Sequence, residues 1–88
     1  MNKYLVEFVG TLFLLYVILV TKNAVAIGAA LAIAVIAGSK VSGGHFNPAV
    51  TIAMATAGKT SMNDVMPYFL AQVSGALLAL KLYEQTKK

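Results

Sequence analysis

Three apolar runs separated by short polar breaks make up most of the chain. The first, Tyr4 to Val20, is broken only by Glu7, Gly10 and Thr11. At about 1.5 Å per residue it nearly spans a hydrocarbon core of about 30 Å, so a first transmembrane helix is predicted over 4–20. Thr21-Lys22-Asn23 is a polar turn. The second run, Ala24 to Gly38, is somewhat short, and small residues recur every four positions at Ala26, Ala30, Ala34 and Gly38. That spacing lets helix backbones approach closely in lipid, so this second span packs tightly against a neighbour. The third run, Asp64 to Tyr83, follows Ser61, whose spacing to Asp64 resembles a capping box, and places Ala71, Gly75 and Ala79 on one face, with Pro67 tolerated near its start. The polar tail Glu84 to Lys88 is expected to fray.

Between the second and third spans the pattern changes. Ser42-Gly43-Gly44-His45-Phe46 reads as irregular chain, and Asn47 then stands as an N-cap before Pro48 at the first helical position, where its missing N–H costs nothing. The helix that follows, Pro48 to Ala57, ends at Gly58-Lys59 and is too short to cross a bilayer. It is predicted to enter the membrane and return to the same side, giving a re-entrant loop and half-helix over 42–57. Lipid-exposed backbone cannot be irregular, because every unpaired N–H or C=O in hydrocarbon costs several kcal/mol. This segment therefore lines a cavity or pore and is the candidate functional site.

Composition narrows the picture further. Of 88 residues, 59% are hydrophobic and 11% charged, and the mean hydropathy is +0.79, which identifies an integral membrane protein in contact with the lipid bilayer. No small-residue cleavage site follows the first run, so a removable signal peptide is not expected. Zero cysteines and one histidine exclude a thiolate or histidine-rich metal site, and no cofactor is expected. The net charge of +4 resides in lysines scattered singly at the ends of apolar runs, which anchor helices at headgroups and form no nucleic-acid patch. No nucleophile, base and orienting group occur together, so an enzyme is not expected; Ser42 near His45 is a local pair with no third member.

Three stretches carry a family resemblance. Glu7-Phe8-Val9-Gly10-Thr11, Ser42 through Thr51, and Ala71-Gln72-Val73-Ser74-Gly75-Ala76 are similar in order and spacing to the first half of the aquaporin and glycerol-facilitator family, the major intrinsic proteins. The resemblance covers nearly the whole chain as a single half-unit. It implies an all-α membrane fold of three transmembrane helices and one re-entrant half-helix. Family members carry two such halves in inverted orientation, the second ending its motif in Asn-Pro-Ala-Arg; here Val50 stands where that arginine would be.

The physical logic of such a loop can be stated without the family. A half-helix starting at mid-membrane aims the positive end of its dipole at the pore centre, which opposes cations and protons. The Asn47 oxygen caps the helix while its nitrogen can donate to a passing water or hydroxyl, and the Gly43, Gly44, His45 and Phe46 carbonyls offer a ladder of acceptors leading to it. Neutral hydrogen-bonding solutes are favoured.

Three spans and a half-helix leave one side of any pore open to lipid. The expected partner is a second copy of the chain, inverted so that two half-helices meet end to end, with assembly into a higher oligomer left open. With the N-terminus inside, Lys3, Lys40 and Lys59 lie inside and Lys22, Lys81, Lys87 and Lys88 outside, close to no bias, which predicts dual topology. The resemblance then implies four filter positions by offset from Asn47: Ile27, Val35, Gly44 and Val50. That filter is apolar and without fixed charge, whereas water-selective members use an aromatic, a histidine and an arginine. The expectation is a passive channel for water and small neutral solutes such as glycerol, with a dry hydrophobic constriction as the alternative.

The remaining polar residues have quieter roles. The resemblance makes Glu7 a holder of the re-entrant loop, with His45 or the loop N–H groups as partners, and His45 is read as a loop brace. Gln72 is expected to hydrogen-bond across helices. Phe8, Phe13 and Phe69 face lipid or neighbours, and Tyr4, Tyr68 and Tyr83 suit the interfacial aromatic belt. Alternatives are a truncated or split channel half that needs a separate second half, a small dual-topology exporter using Glu7 as its carboxylate, and a membrane-permeabilising small protein needing no loop chemistry.

Overall fold

In the computed structural model, which describes residues 1–87, four α-helices and one 3₁₀ turn form an elongated body of 44 × 23 × 23 Å. Helix α1, Lys3–Thr21, is capped by Asn2, whose side chain accepts from the Leu5 N–H at 2.8 Å. It stops where Lys22 adopts a left-handed φ of 47°. Helix α2, Ala24–Ser42, is capped in the same way by Asn23. The half-helix α3, Pro48–Thr56, follows the loop, and a 3₁₀ turn, Met62–Asp64, leads into α4, Val65–Thr86. Three of these segments, Lys3–Thr21, Ala24–Ser42 and Met62–Thr86, are long and apolar enough to cross a membrane.

Two boundaries differ from the pattern reading. The second span does not end at Gly38 but continues a further turn to Ser42. Ser39 and Lys40 are exposed, so their polarity does not oppose the helix, and termination waits for Gly43 at φ 90°. The tail does not fray after Tyr83: α4 runs to Thr86, whose Oγ1 lies 3.2 Å from the Tyr16 hydroxyl of α1. Lys88 lies outside the described residues.

Small residues decide how the helices meet. Ala30, Ala34 and Gly38 are the buried stripe of α2, and Ala30 and Ala34 join Leu14 of α1 and Phe46 in the main apolar cluster. On the other side of α1, Gly75 brings α4 so close that a Cβ there would sit 2.5 Å from the Phe8 carbonyl oxygen and 3.1 Å from the Leu12 nitrogen. Backbone contact of this kind is how helices associate in lipid, where apolar side chains gain little by leaving the tails. Helix α1 is thus the central element, flanked by α2 and α4, with α3 held against α4.

Ser61 also departs from its expected pairing. Its side chain accepts from the Asn63 N–H at 3.1 Å, while the Asp64 carboxylate turns away to α1. There it accepts from Lys3 Nζ at 2.7 Å and from the Tyr4 hydroxyl at 2.8 Å. The spacing resembles a capping box, but the cation and the hydroxyl available across the seam are better donors for a carboxylate than one more backbone amide. This contact fixes the starts of α1 and α4 on the same side.

Candidate functional site at the re-entrant loop

Glu7 is the side chain on which most of the loop Gly43–Asn47 is hung. Glu7, fully buried, accepts four hydrogen bonds: from Ser42 Oγ at 2.7 Å and the His45 N–H at 3.1 Å on Oε2, and from the Phe46 N–H at 2.8 Å and Gln72 Nε2 at 2.8 Å on Oε1. The Gly44 N–H is taken by Ser42 Oγ at 3.1 Å. Three consecutive amides are therefore drawn to one side of the loop. Among the described residues no donor reaches the carbonyls of Gly43, Gly44, His45 or Phe46, so the acceptors of this stretch remain free for a ligand.

This arrangement needs unusual backbone. Gly43 and Gly44 have φ of 90° and 66°, and Phe46 has φ of 52°, a left-handed conformation that a bulky side chain rarely adopts. The Phe46 ring explains how it persists. It is 3% exposed and wedged between α1 and α2, where a Cβ on Gly10 would lie 2.6 Å from its Cδ1 and one on Gly38 would lie 3.2 Å from its Cζ. Two glycines on two helices make the slot, and Phe46 enters it from the loop.

Asn47 itself is extended and exposed, and its Oδ1 accepts from the Ala49 N–H at 2.8 Å. Pro48 occupies the first helical position. The Asn47 Nδ2 donates to nothing among the described residues. At the other end, Gly58 at φ 77° allows two closing bonds, Gly58 N–H to Ala55 O at 3.1 Å and Lys59 N–H to Met54 O at 2.9 Å. These satisfy the last carbonyls of the half-helix.

Further hydrogen bonds from Thr51 join α3 to α4. Thr51 Oγ1 lies 2.9 Å from His45 Nδ1 and accepts from Gln72 Nε2 at 3.0 Å. His45 Nε2 is 3.5 Å from Thr60 Oγ1. Of the partners expected for Glu7, the structure places the loop N–H groups there, including that of His45, and sends the His45 ring to Thr51 instead. Tyr68 also differs from its expected place at the interface: it is 2% exposed, stacks edge to face on Tyr4, and donates to the Ser42 carbonyl at 2.6 Å. It lies four residues before Gln72, and the face Tyr68, Gln72, Gly75, Ala79 is the buried stripe of α4.

The offset positions are placed less centrally. Ile27 and Val35 are half-buried and pack on the α1–α2 cluster, and Gly44 lies against α2, where an added Cβ would be 3.5 Å from the Val35 and Ser39 Cα atoms. Val50 is half-buried on α3, and Ala49 is exposed beside it. Ser42, Thr51, Tyr68, Gly10 and Gly38 were not singled out as loop-holding residues from the sequence. Ser42 and Thr51 sit at the ends of the quoted motif, and Tyr68 could have been found from the four-residue spacing to Gln72. The two glycines carry no signal of their target, because the ring they accommodate comes from a distant segment. No group of three His, Asp or Glu side chains able to hold a metal converges among the described residues.

The geometry is a membrane-spanning half-unit with a half-helix whose capped start is open at one side, and comparison with known proteins agrees with it. The family model for the major intrinsic proteins matches residues 19–88. The chain belongs to the major intrinsic protein family. It is 39% identical over 88 residues to a glycerol uptake facilitator protein-like 6 of Lactiplantibacillus plantarum, covering 90% of this chain and 41% of that protein. It is 38% identical over 92 residues to aquaporin NIP1-1 of Zea mays, covering 89% of this chain and 33% of that protein. A shorter stretch of 39 residues is 51% identical to aquaporin Z of Brucella melitensis, 44% of this chain and 17% of that protein. The chain thus spans less than half the length of these curated relatives. It is an integral membrane protein with half of an aquaporin-like fold.

Proposed function

We propose that this unit forms one half of a passive pore for water and small neutral solutes such as glycerol. The observation that carries the reading is the sorting of loop polarity: the Gly44, His45 and Phe46 N–H groups are held inward by Ser42 and Glu7, leaving the Gly43, Gly44 and His45 carbonyls of the same peptide planes as acceptors beside the free Asn47 Nδ2. A solute crossing such a lining exchanges hydrogen bonds stepwise between carbonyls and the Asn47 amide. The positive end of α3 disfavours cations there. Two of the relatives are named for glycerol uptake and for an aquaporin, which fits a neutral solute.

The wall that α1, α2 and α4 leave open is closed, in this reading, by a second unit in inverted orientation. The Lys3–Asp64 pair puts both helix starts on one side, with Lys40 and Lys59, while Lys22, Lys81 and Lys87 lie on the other. A near-even lysine split supports insertion both ways and an inverted homodimer. A separately supplied second half is the other way to close the wall. In this reading each apolar constriction is shared, with Ile27 from one unit and Val35, Gly44 and Val50 from its partner. The exporter reading, which needs Glu7 free to exchange a proton, has less support, since the carboxylate is enclosed by four donors.

Stopped-flow light scattering on reconstituted liposomes tests this. Wild type under an impermeant osmolyte gradient, and then a glycerol gradient, is expected to shrink or swell faster than empty liposomes. Asn47→Asp places a charge at the half-helix start and removes the Nδ2 donor, so the gain is expected to fall by at least tenfold. Equal permeability of wild type and empty liposomes, with protein inserted in both orientations, would refute self-pairing.

A further inference from the structure

The carboxylate that anchors the loop has no cation beside it. The four partners of Glu7, namely Ser42 Oγ, the His45 and Phe46 N–H groups and Gln72 Nε2, are uncharged donors. The His45 ring turns away to Thr51 and Thr60. Among the described residues the single ion pair, Lys3–Asp64, lies at the starts of α1 and α4, and α3 contains no charged side chain, Val50 included. Glu7 is fully buried, so its charge is poorly screened by solvent.

Facing this charge is the start of α3. Among the described residues no acceptor reaches the exposed Asn47 Nδ2 or the Val50 N–H, which leaves two unpaired donors at the positive end of a nine-residue helix. Such an end by itself favours anions as strongly as it opposes cations. The Phe46 N–H is 2.8 Å from Glu7 Oε1, and Pro48 follows Phe46 in the chain. Two Cα steps of at most about 3.8 Å each then place the carboxylate about 8 Å from the helix start. Coulomb energy scales as charge over distance, so roughly +0.5 of an elementary charge about 4 Å from an ion is matched by a full negative charge at about 8 Å.

We propose that Glu7 is a specificity-determining residue that bars anions: its carboxylate stays ionised and offsets the positive start of α3. The helix end repels cations and Glu7 repels anions, so neither sign gains enough at Asn47 to offset its lost hydration. A neutral solute meets the same donors and acceptors whatever the charge balance. Barring anions from a pore rests on the pore reading above; the balance between Glu7 and the half-helix does not. Glu7→Gln keeps the size of the side chain and removes the charge. One unit charge at about 8 Å, at an effective dielectric of about 20, corresponds to about a 30-fold change in anion affinity at the start of α3.

Isotope-labelled protein in lipid nanodiscs, titrated with iodide against gluconate at constant ionic strength, tests this through the chemical shifts of the Asn47 side-chain amide and the Val50 N–H. Glu7→Gln is expected to show a saturable shift about 30-fold tighter than wild type. Glu7→Asp, which keeps the charge but shortens the reach to the loop, is expected to follow wild type. Equal iodide affinity in wild type and Glu7→Gln overturns the proposal. So does binding by Glu7→Asp as tight as by Glu7→Gln, which would trace the gain to a loosened loop and not to charge. A wild-type Glu7 carboxyl carbon with the shift of a protonated acid at neutral pH overturns it without any variant. Failure of the pore reading shows separately, as wild-type water permeability equal to that of empty liposomes, and leaves the titration to decide the charge balance.

Discussion

Glu7→Gln separates the role of the loop's anchor from that of its shape, because the two side chains are nearly isosteric and differ in what they can accept. One carboxylate oxygen becomes an NH₂, which donates and cannot accept. If it takes the Oε1 position, both Phe46 N–H and Gln72 Nε2 lose their acceptor; if it takes Oε2, the losers are His45 N–H and Ser42 Oγ. Ser42 has a way out, since its hydroxyl can turn to Gly38 O at 3.4 Å. The Oε2 position is therefore the one the amide nitrogen adopts, and the His45 amide is the group stranded.

An unsatisfied buried donor costs about 1–3 kcal/mol, and the two surviving bonds each lose about 1 kcal/mol of charge assistance. Relief from burying a carboxylate works the other way, leaving a net destabilisation of about 2–4 kcal/mol. Equilibrium unfolding in mixed detergent micelles, followed by circular dichroism, measures the total. Amide exchange gives the location: opening of the His45 N–H should become about 30- to 700-fold easier, at about 1.4 kcal/mol per tenfold, with the Phe46 N–H affected less. A change below about 0.5 kcal/mol, with the His45 amide as protected as in wild type, would refute the assignment of Glu7 as the anchor of the loop.

Further substitutions probe the packing that carries this network. Gly75→Ala drives a Cβ to 2.5 Å from the Phe8 carbonyl, and backbone cannot yield as a side chain can, so a loss of about 1–3 kcal/mol in the same unfolding assay is expected. Gly28→Ala, with nothing within 4 Å, should instead be neutral or stabilise by up to about 1 kcal/mol, and an equal loss at both positions would count against the close α1–α4 crossing. Gly10→Ala should expel the Phe46 ring from its slot at a similar cost of about 1–3 kcal/mol, and the smaller side chain of Phe46→Leu should recover part of it in the double variant. Strict additivity of the two changes would mean that ring and glycine do not touch.

The three spans, the half-helix and the Asn47 cap were legible in the chain because each is a local matter. Run length measures against bilayer thickness, a cap residue lies next to the helix it caps, and Asn47-Pro48 puts a capping side chain directly before a proline suited to the first helical position. Where local reading went wrong, a distant group had intervened. Asp64 pairs with Lys3 and Tyr4 from sixty residues away instead of returning to Ser61. Tyr68 looked interfacial by its place near a span end, yet it is buried because the Ser42 carbonyl, freed at the C-terminus of α2, lies within its reach.

Sequence by itself determined that this chain lives in a membrane, which segments cross it, and that an irregular, polar loop interrupts them, because hydrocarbon accepts only backbone that satisfies itself. Tertiary structure alone decided which way that loop faces. A peptide plane carries the N–H of one residue and the C=O of the residue before it on opposite sides, so turning the Gly44, His45 and Phe46 N–H groups toward Ser42 and Glu7 turns the Gly43, Gly44 and His45 carbonyls outward. That choice is made by a carboxylate on α1, an amide on α4 and a ring between two glycines, and no local pattern in the loop encodes where those three will be.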